Sequence, residues 1–275
     1  MTKYAMNLLL WGTAINEELF PVLEQIKAIG YEGVEVPIFD VNPKNWQTWR
    51  TKLDELALGR IAVTICGSDF NQISFDPKMR ASTLERNKRA VDCAVVLGAD
   101  LLTGPFHSAL SYFTGKPATS EEWKWAVENL FQLSEYAEKQ GVTLGLEYLN
   151  RFESYLVSCA DELLKLVESV GHPSCKIMFD TFHANIEEKN LGNAIRKLSK
   201  HLVHVQVSEN DRSIVGQGNV NWQDVFSALK EINYKGWVSV EAFSEKLPAA
   251  NIWRQMFENE EVLMKESLNF LRKNI

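Results

Sequence analysis

The chain has 275 residues and a formal net charge of −7, and these two properties already exclude several classes of protein. Nucleic-acid-binding proteins hold the phosphate backbone mainly with Lys and Arg, so an acidic balance predicts no nucleic-acid partner. Every apolar stretch is shorter than the roughly 20 residues that a transmembrane helix needs, and we therefore predict no membrane association. A chain of this length can bury roughly 70–75% of its unfolded surface, so it needs no disulfide framework.

The cysteines indicate a reducing compartment. They are scattered along the chain, without a C-x-x-C pair of the kind that binds metal, at Cys66, Cys93, Cys159 and Cys175. Scattered reduced thiols are typical of cytosolic proteins. The first residues, MTKYAMNLLLWGTAINEE, contain one Lys and a short apolar run, which is a poor match to a signal peptide. We predict a cytoplasmic protein.

Short apolar runs alternate with longer amphipathic stretches, which is the pattern of a parallel sheet wrapped by helices. In chain order we predict strands over MNLLLW (6–11), GVEVPI (33–38), RIAVTIC (60–66), ADLLTG (99–104), VTLGLEYL (142–149), KIMFDTFH (176–183), LVHVQV (202–207) and WVSVEAF (237–243). The helices that follow these strands are predicted over 17–29, 43–58, 76–97, 120–141, 159–170, 190–200, 222–232 and 253–273.

Residues at the helix boundaries support this division. Gly30 predicts the end of the first helix, and Asp76-Pro77 predict the N-cap and first turn of the third. Ser120-Glu-Glu predicts the start of the fourth helix. Eight strand–helix units in a chain near the typical size of about 250 residues predict an α/β protein, a single (β/α)8 TIM barrel, with residues 1–275 forming one domain. A doubly wound open sheet is the rival fold, but it would have a glycine-rich phosphate turn where this chain reads WGTAINEE.

Four oxygen-bearing side chains lie at the C-terminal ends of the last four predicted strands: Glu147, Asp180, Gln206 and Glu241. In a barrel of this kind the C-terminal strand ends meet at one mouth, where the active site is found. An acid at the end of an apolar strand is costly to bury unless it is paired or binds a metal, so a salt bridge is the alternative for each one. Taken together, the four describe an oxygen-rich site for a hard divalent cation and predict a metal-dependent enzyme.

Other polar side chains lie in the loops beyond these strands. His183 lies three residues beyond Asp180, so we assign it to substrate contact or support of the ligands rather than to the metal; a capping or packing histidine is the alternative. Glu153 could accept a hydrogen bond from a substrate hydroxyl, or be a solvated loop carboxylate. Arg212 could bind substrate oxygens bidentately, or pair with acids of its own loop. His107 and Cys66 are expected only to line the pocket.

Several segments together resemble the ketose 3-epimerases, the group that includes the D-tagatose and D-psicose 3-epimerases of the xylose-isomerase-like barrel superfamily. The segments are GPFHSALSYFTGKPATSEEW, EYLNRFESY, MFDTFHANIEE, SENDR with the following GQG-x-x-x-W, and PAANIWRQM. The resemblance spans most of the chain and is densest from about Gly104 onward. It implies a barrel that binds one Mn²⁺, Co²⁺ or Mg²⁺ ion through the four strand-end residues named above.

The resemblance also implies roles for other residues and a type of partner. Glu153, His183 and Arg212 would contact the reacting end of a small-molecule sugar. Trp11 and Phe243 match apolar positions that pack against its distal end. The resemblance further implies a homodimer or homotetramer.

One position departs from the epimerase pattern. Those enzymes place a histidine in an H-F-H or H-V-H strand where this chain reads His204-Val-Gln206, and the related hydroxypyruvate isomerases read H-I-Q. An amide oxygen is a harder donor than imidazole, so Gln206 should favour Mg²⁺ or Mn²⁺. Inversion at C3 of a ketose needs a proton to leave one face and another to return on the opposite face, so two bases are required. We expect Glu147 and Glu241 to form this acid/base pair while also binding the metal.

Other functions remain open at this point. An aldose–ketose or hydroxypyruvate-type isomerase would use the same metal site, and Gln206 keeps that alternative alive. A phosphorylated ketose is less well supported, because the chain lacks a glycine-rich phosphate cradle. The endonuclease branch of the superfamily needs more histidines than the five present. A sugar-binding barrel that has lost catalysis is the non-enzyme alternative, although the acids on the strand ends are intact.

Overall fold

A computed structural model describes residues 2–275 as a closed barrel whose parallel strands follow one another in chain order. The strands are β1 Lys3–Asn7, β2 Gly33–Pro37, β3 Gly59–Val63, β4 Leu101–Gly104, β5 Thr143–Leu146, β6 Cys175–Asp180, β7 Leu202–Val207 and β8 Trp237–Val240. The barrel closes because β1 pairs with both β2 and β8. The predicted (β/α)8 TIM barrel is confirmed. Met1 lies outside the described residues, and the extent of the domain, 1–275, stays a prediction.

The helices lie between and after the strands, and β6 is followed by two of them. They are α1 Phe20–Ile29, α2 Gln47–Glu55, α3 Pro77–Leu97, α4 Ser120–Lys139, α5 Ala160–Val170, α6 Thr181–Glu187, α7 Leu191–Leu198, α8 Trp222–Glu231 and α9 Glu260–Asn274. Gly30 ends α1 in the left-handed conformation, and the Asp76 side chain accepts from the backbone N–H of Lys78, as predicted. Every helix within residues 2–275 is too short or too polar to cross a membrane.

The prediction for the first strand was wrong in its position. The strand covers Lys3–Asn7, and Leu8–Trp11 forms a 3₁₀ turn instead of continuing the strand. The Asn7 side chain accepts from the backbone N–H of Leu9 at 2.8 Å, which caps this turn and stops the strand. A buried apolar run looks the same in a strand and in a turn, so the sequence alone could not distinguish them. As a result, Asn7 lies at the mouth of the barrel.

The start of α4 agrees with the prediction, whereas α6 has no counterpart in it and α9 starts later than predicted. Helix α4 begins at Ser120, as predicted, and its N-cap is Thr119, which forms a capping box with Glu122. The predicted strand over 176–183 ends at Asp180, whose side chain accepts from the N–H of Phe182 and begins α6. The helix predicted over 253–273 starts only at Glu260, after the Asn259 cap.

The apolar core lies between the outer surface of the barrel and the helices, whereas the inside of the barrel carries a polar layer. Glu35 on β2 accepts from His204 and Gln206 on β7. Since β2 and β7 are not neighbours in the sheet, these contacts must cross the barrel interior. Asn7 and Thr103 join the same layer, and all of these side chains are buried.

Candidate functional site

The strand-end residues predicted from the sequence meet at one mouth of the barrel. Asp180 and Gln206 are cross-strand partners at the ends of β6 and β7. Glu147 directly follows β5, and Glu241 directly follows β8. All four side chains belong to residues that are at most 6% exposed. Three carboxylates and an amide are therefore gathered in one nearly dry pocket.

Glu147, Asp180 and His183 each present a ligand atom within 4.8 Å of the other two, a spacing that suits a shared cation. Gln206 adds an amide whose Oε1 is buried and has no hydrogen-bond partner among the described residues. Buried polar atoms are almost always bonded, so an unpartnered carbonyl oxygen on the cross-strand partner of Asp180 indicates a place for a ligand. The donor set is rich in oxygen and fits a hard divalent cation.

The carboxyl groups of this pocket repel one another. Burial raises the pKa of Glu147 well above its ordinary value, and the charges of Asp180 and Glu241 raise it further. Burial likewise raises the pKa of Glu241, which the cation of Arg212 lowers only in part. A bound cation would neutralise this repulsion, so the electrostatics as well as the donor set fit a metal.

Arg212 is the cation that holds part of this cluster together. Its Nη1 lies 3.0 Å from Asp180 Oδ2 and 2.5 Å from Glu241 Oε2. The guanidinium is held between two rings, 3.6 Å from the centroid of Phe182 and 4.5 Å from that of Phe243. Arg212 therefore pairs with Asp180 at the end of β6 and with Glu241 just after β8, rather than with the acids of its own loop.

His183 is held as a neutral hydrogen-bond donor. Its Nδ1 lies 3.1 Å from the backbone nitrogen of Asn150, which can only donate. The ring proton therefore sits on Nε2, which lies 3.5 Å from Glu147 Oε1 and 3.7 Å from Asp180 Oδ2. Burial lowers the pKa of His183 to about 4. A nitrogen that carries a proton cannot bind a cation, so in this tautomer His183 Nε2 can donate a hydrogen bond into the pocket but cannot bind a metal.

Glu153 is connected to this histidine through Asn150, whose side-chain amide donates to Glu153 Oε1 at 2.8 Å. The same amide nitrogen lies 2.9 Å from His183 Nδ1. The structure thus brings Glu153 and His183 together, although they follow different strands. Sequence reasoning missed Asn150, even though it lies in the EYLNRFE segment that contains both Glu147 and Glu153.

The two apolar candidates occupy different places. Phe243 stacks beside the Arg212 guanidinium and so lies at the polar cluster. Trp11 is half-buried at the end of the 3₁₀ turn that follows β1. His107 does more than line the pocket, because its Nε2 donates to the backbone carbonyl of Glu147 at 2.9 Å. That bond holds the main chain at a candidate ligand.

Sequence reasoning missed the residue directly beneath the pocket, Glu35, which is fully buried. Three side chains donate to it at 3.0 Å, from Asn7, Gln206 and His204. Burial opposes its charge, yet the pKa of Glu35 is below its ordinary value because His204 and, to a smaller extent, Gln206 and Ser239 stabilise the carboxylate. The sequence signal that could have identified Glu35 is an acid in the middle of the apolar strand GVEVPI, where a charge needs partners.

Comparison with known proteins agrees with this geometry. Residues 23–274 match the family described as the xylose isomerase-like TIM barrel. The D-psicose 3-epimerase of Enterocloster bolteae is 39% identical over 249 residues, which cover 88% of this chain and 82% of the relative. The L-ribulose 3-epimerase of Methylomonas sp. (strain DH-1) is 28% identical over 250 residues, which cover 89% of this chain and 87% of the relative.

A solved structure extends the likeness to the whole chain. The crystal structure of a D-allulose 3-epimerase from Methylomonas sp. in complex with D-allulose superimposes with a TM-score of 0.94 at 26% identity, covering 100% of this chain and 97% of that one. The chain belongs to the ketose 3-epimerases of the xylose isomerase-like TIM barrel family, and it is an enzyme of the isomerase class.

Proposed function

We propose that this enzyme inverts C3 of a free ketose and uses one divalent cation held by Glu147, Asp180, Gln206 and Glu241. The observation that carries the proposal is the buried Oε1 of Gln206, the cross-strand partner of Asp180, which has no hydrogen-bond partner within residues 2–275. Oxygen donors favour Mn²⁺, with Mg²⁺ or Co²⁺ as alternatives. When bound, such an ion stabilises the enediolate that forms when the proton beside a ketone is removed.

The acid/base pair that we propose is Glu147 and Glu241. The strands that precede them, β5 and β8, are separated by β6 and β7, so the two carboxyls approach the pocket from different sides. One removes the C3 proton, and the other returns a proton to the opposite face. Contact with the cation would keep both carboxyls ionised, so that either one can accept the proton from carbon and then act as the acid that gives it back.

Two donors would bind the oxygen on which charge develops. His183 Nε2 and Arg212 Nη2 lie 3.3 Å apart, and because both carry protons they cannot bond to each other. A carbonyl or enediolate oxygen of the sugar would accept from both. Pre-positioned donors of this kind lower the barrier because they need no reorganisation during the reaction. Glu153 completes this end of the pocket, and Trp11 and Phe243 supply apolar surface for the sugar.

The test follows hydrogen at each carbon. Mn²⁺-loaded protein is incubated in D₂O with D-fructose, D-tagatose, D-psicose, L-ribulose and hydroxypyruvate, and proton NMR follows each compound. Deuterium at C3 together with a new C3 epimer is the expected result. Label at C1 or C2 with an aldose product would instead establish the aldose–ketose or hydroxypyruvate-type isomerase, the second candidate, which Gln206 favours. No exchange with any compound would contradict both.

We also propose a cytoplasmic homodimer or homotetramer. Free cysteines, three of them buried, support a reducing compartment. Phe152 and Trp253 lie on loops near the barrel mouth and are 71% and 83% exposed, which supports contact with another subunit. Light scattering after size exclusion measures the mass directly, and a mass near 31.3 kDa would contradict the oligomer.

A further inference from the structure

A glutamine that binds a metal must be held with the correct end of its side-chain amide toward the ion. The two ends of its amide are nearly equal in shape, but only the oxygen can bind a cation. In Gln206 the choice is made by Glu35, whose Oε2 lies 3.0 Å from Gln206 Nε2. A carboxylate accepts and does not donate, so it selects the NH₂ end and leaves Oε1 free. That oxygen is one of the buried side-chain atoms that have no hydrogen-bond partner among the residues that the structure describes.

The same carboxylate also fixes a second amide. Asn7 Oδ1 accepts from the backbone N–H of Leu9 at 2.8 Å, so its NH₂ must point the other way. That NH₂ lies 3.0 Å from Glu35 Oε2 and 3.1 Å from Glu241 Oε1. Asn7 therefore holds one oxygen of Glu241, while Arg212 holds the other. Through Asn7, Glu35 restrains a second proposed ligand.

His204 adds a third donor to this carboxylate. Its Nε2 lies 3.0 Å from Glu35 Oε1, and its Nδ1 is buried without a partner within residues 2–275. Since the Glu35 carboxylate can only accept, Nε2 carries the proton that joins them. Glu35 is thus surrounded by donors from β1, β4 and β7, because Thr103 Oγ1 also lies 3.3 Å from its Oε1, and both of its oxygens are used.

We infer that Glu35 is a positioning residue that turns the Gln206 amide oxygen toward the cation and, through Asn7, holds Glu241 in place. The inference rests on the proposed metal site. It adds how a glutamine can serve as a ligand at a position where the epimerases that this chain resembles have a histidine. Partners behind metal ligands commonly contribute about 10–100-fold to metal affinity.

The first test is Glu35→Gln, with Mn²⁺ affinity measured by calorimetry on folded, metal-free protein. A glutamine at position 35 places an NH₂ next to the donors of Asn7, His204 and Gln206. Gln206 is then no longer held with its amide oxygen toward the pocket. We expect the dissociation constant for Mn²⁺ to rise about 10–100-fold. The matched control is Glu122→Gln, a buried glutamate whose partners are Thr119 and Tyr155 and not a proposed ligand. This variant should keep wild-type Mn²⁺ affinity even where its thermal stability falls.

The second test exchanges the two residues. The Gln206→Glu substitution alone places a second carboxylate against that of Glu35, and this variant should bind Mn²⁺ poorly. The double variant Glu35→Gln, Gln206→Glu restores one donor and one acceptor in reversed order and again presents an oxygen to the cation. We expect it to bind Mn²⁺ more tightly than either single variant, which a loss of packing alone would not produce. It also serves if Glu35→Gln does not fold.

The outcomes separate this inference from the proposed function. If the wild type does not bind Mn²⁺, the metal site fails and the inference fails with it. Wild-type binding, combined with Glu35→Gln affinity within about threefold of it, would overturn the inference and leave the proposed function standing. A double variant no better than both single variants would overturn it as well.

Discussion

The backbone N–H of Asn150 points at Nδ1 of His183, with the nitrogens 3.1 Å apart, and this one contact decides which end of the imidazole faces the pocket. Because a backbone N–H cannot accept, the ring proton sits on Nε2, beside Glu147 and Asp180. His183 lies close enough to serve as a metal ligand, yet it is held in the tautomer that donates. The distances alone, without the tautomer, would identify His183 as a ligand.

His183→Ala should therefore damage turnover more than metal binding. Loss of one donor to a developing oxyanion typically costs about 10²–10³-fold in kcat. We expect kcat to fall within that range. The Mn²⁺ dissociation constant should change by less than about threefold, because even removing a residue that supports a metal ligand typically costs about tenfold or more in affinity. Steady-state kinetics and calorimetry measure the two quantities. His172→Ala, at a histidine beside Glu138, is the control and should change neither. A large loss of Mn²⁺ affinity would instead identify His183 as a ligand.

The two-base scheme makes an asymmetric prediction for Glu147→Gln and Glu241→Gln. Each variant keeps one base, which reaches the C3 proton of only one epimer, so net epimerisation should fall about 10²–10⁴-fold. The remaining base can still exchange that proton with solvent. NMR in D₂O should therefore show C3 exchange without inversion, in opposite epimers for the two variants. Substantial epimerisation by Glu147→Gln would rule out the scheme.

Arg212 should contribute most to the stability of the protein when no metal is bound. Removing one partner of a buried ion pair typically costs about 3–5 kcal/mol, because the other partner is left buried and unpaired. Arg212→Gln leaves Asp180 and Glu241 without their cation, so the free energy of unfolding in urea should fall by that amount. Saturating Mn²⁺ should restore much of the loss, since it neutralises the same carboxylates.

Arg212→Lys is the matched variant, because it keeps the charge but loses the stacking between Phe182 and Phe243. Its loss of stability should be smaller than that of Arg212→Gln. An equal loss with and without Mn²⁺ would show that the metal does not share these carboxylates.

Gln206→His should change metal preference more than fold. Imidazole is a softer donor than an amide oxygen, so the ratio of Co²⁺ to Mg²⁺ affinity should rise. Competition titrations on the wild type and the variant measure this ratio, with thermal unfolding of the metal-free proteins as the check on folding. An unchanged ratio would place the cation away from position 206.

Metal removal provides a test that needs no mutation. A ligand that binds only the native state stabilises it by about 2.7 kcal/mol at a concentration 100 times its dissociation constant. Adding Mn²⁺ at that level should raise the midpoint of thermal unfolding, and a chelator should reverse the rise and abolish turnover together. The Glu122→Gln protein should respond as the wild type does, because Glu122 caps α4 through Thr119. Turnover that survives exhaustive chelation would contradict the metal requirement.

Local patterns in the sequence were sufficient for the barrel and for the four strand-end residues. The predicted seventh strand, 202–207, agrees with β7 residue for residue. Parallel strands joined by helices place all their C-terminal ends at one mouth, so Glu147, Asp180, Gln206 and Glu241 could be grouped without any coordinates. The places where prediction failed, such as Leu8–Trp11, are runs in which apolar character does not distinguish a strand from a turn.

Only the tertiary structure decided which groups face each other across the barrel. Glu35 and Gln206 are far apart in the chain and lie on strands that are not neighbours, so periodicity in the sequence cannot connect them. The Arg212 contact with Asp180 and the Asn150 contact with His183 involve neighbouring strands, but these residues are also far apart in the chain, and periodicity does not connect them either. Residue types at strand ends determine which chemistry is available. The direction of each amide, imidazole and guanidinium is set by partners that only the closed barrel brings within hydrogen-bonding distance.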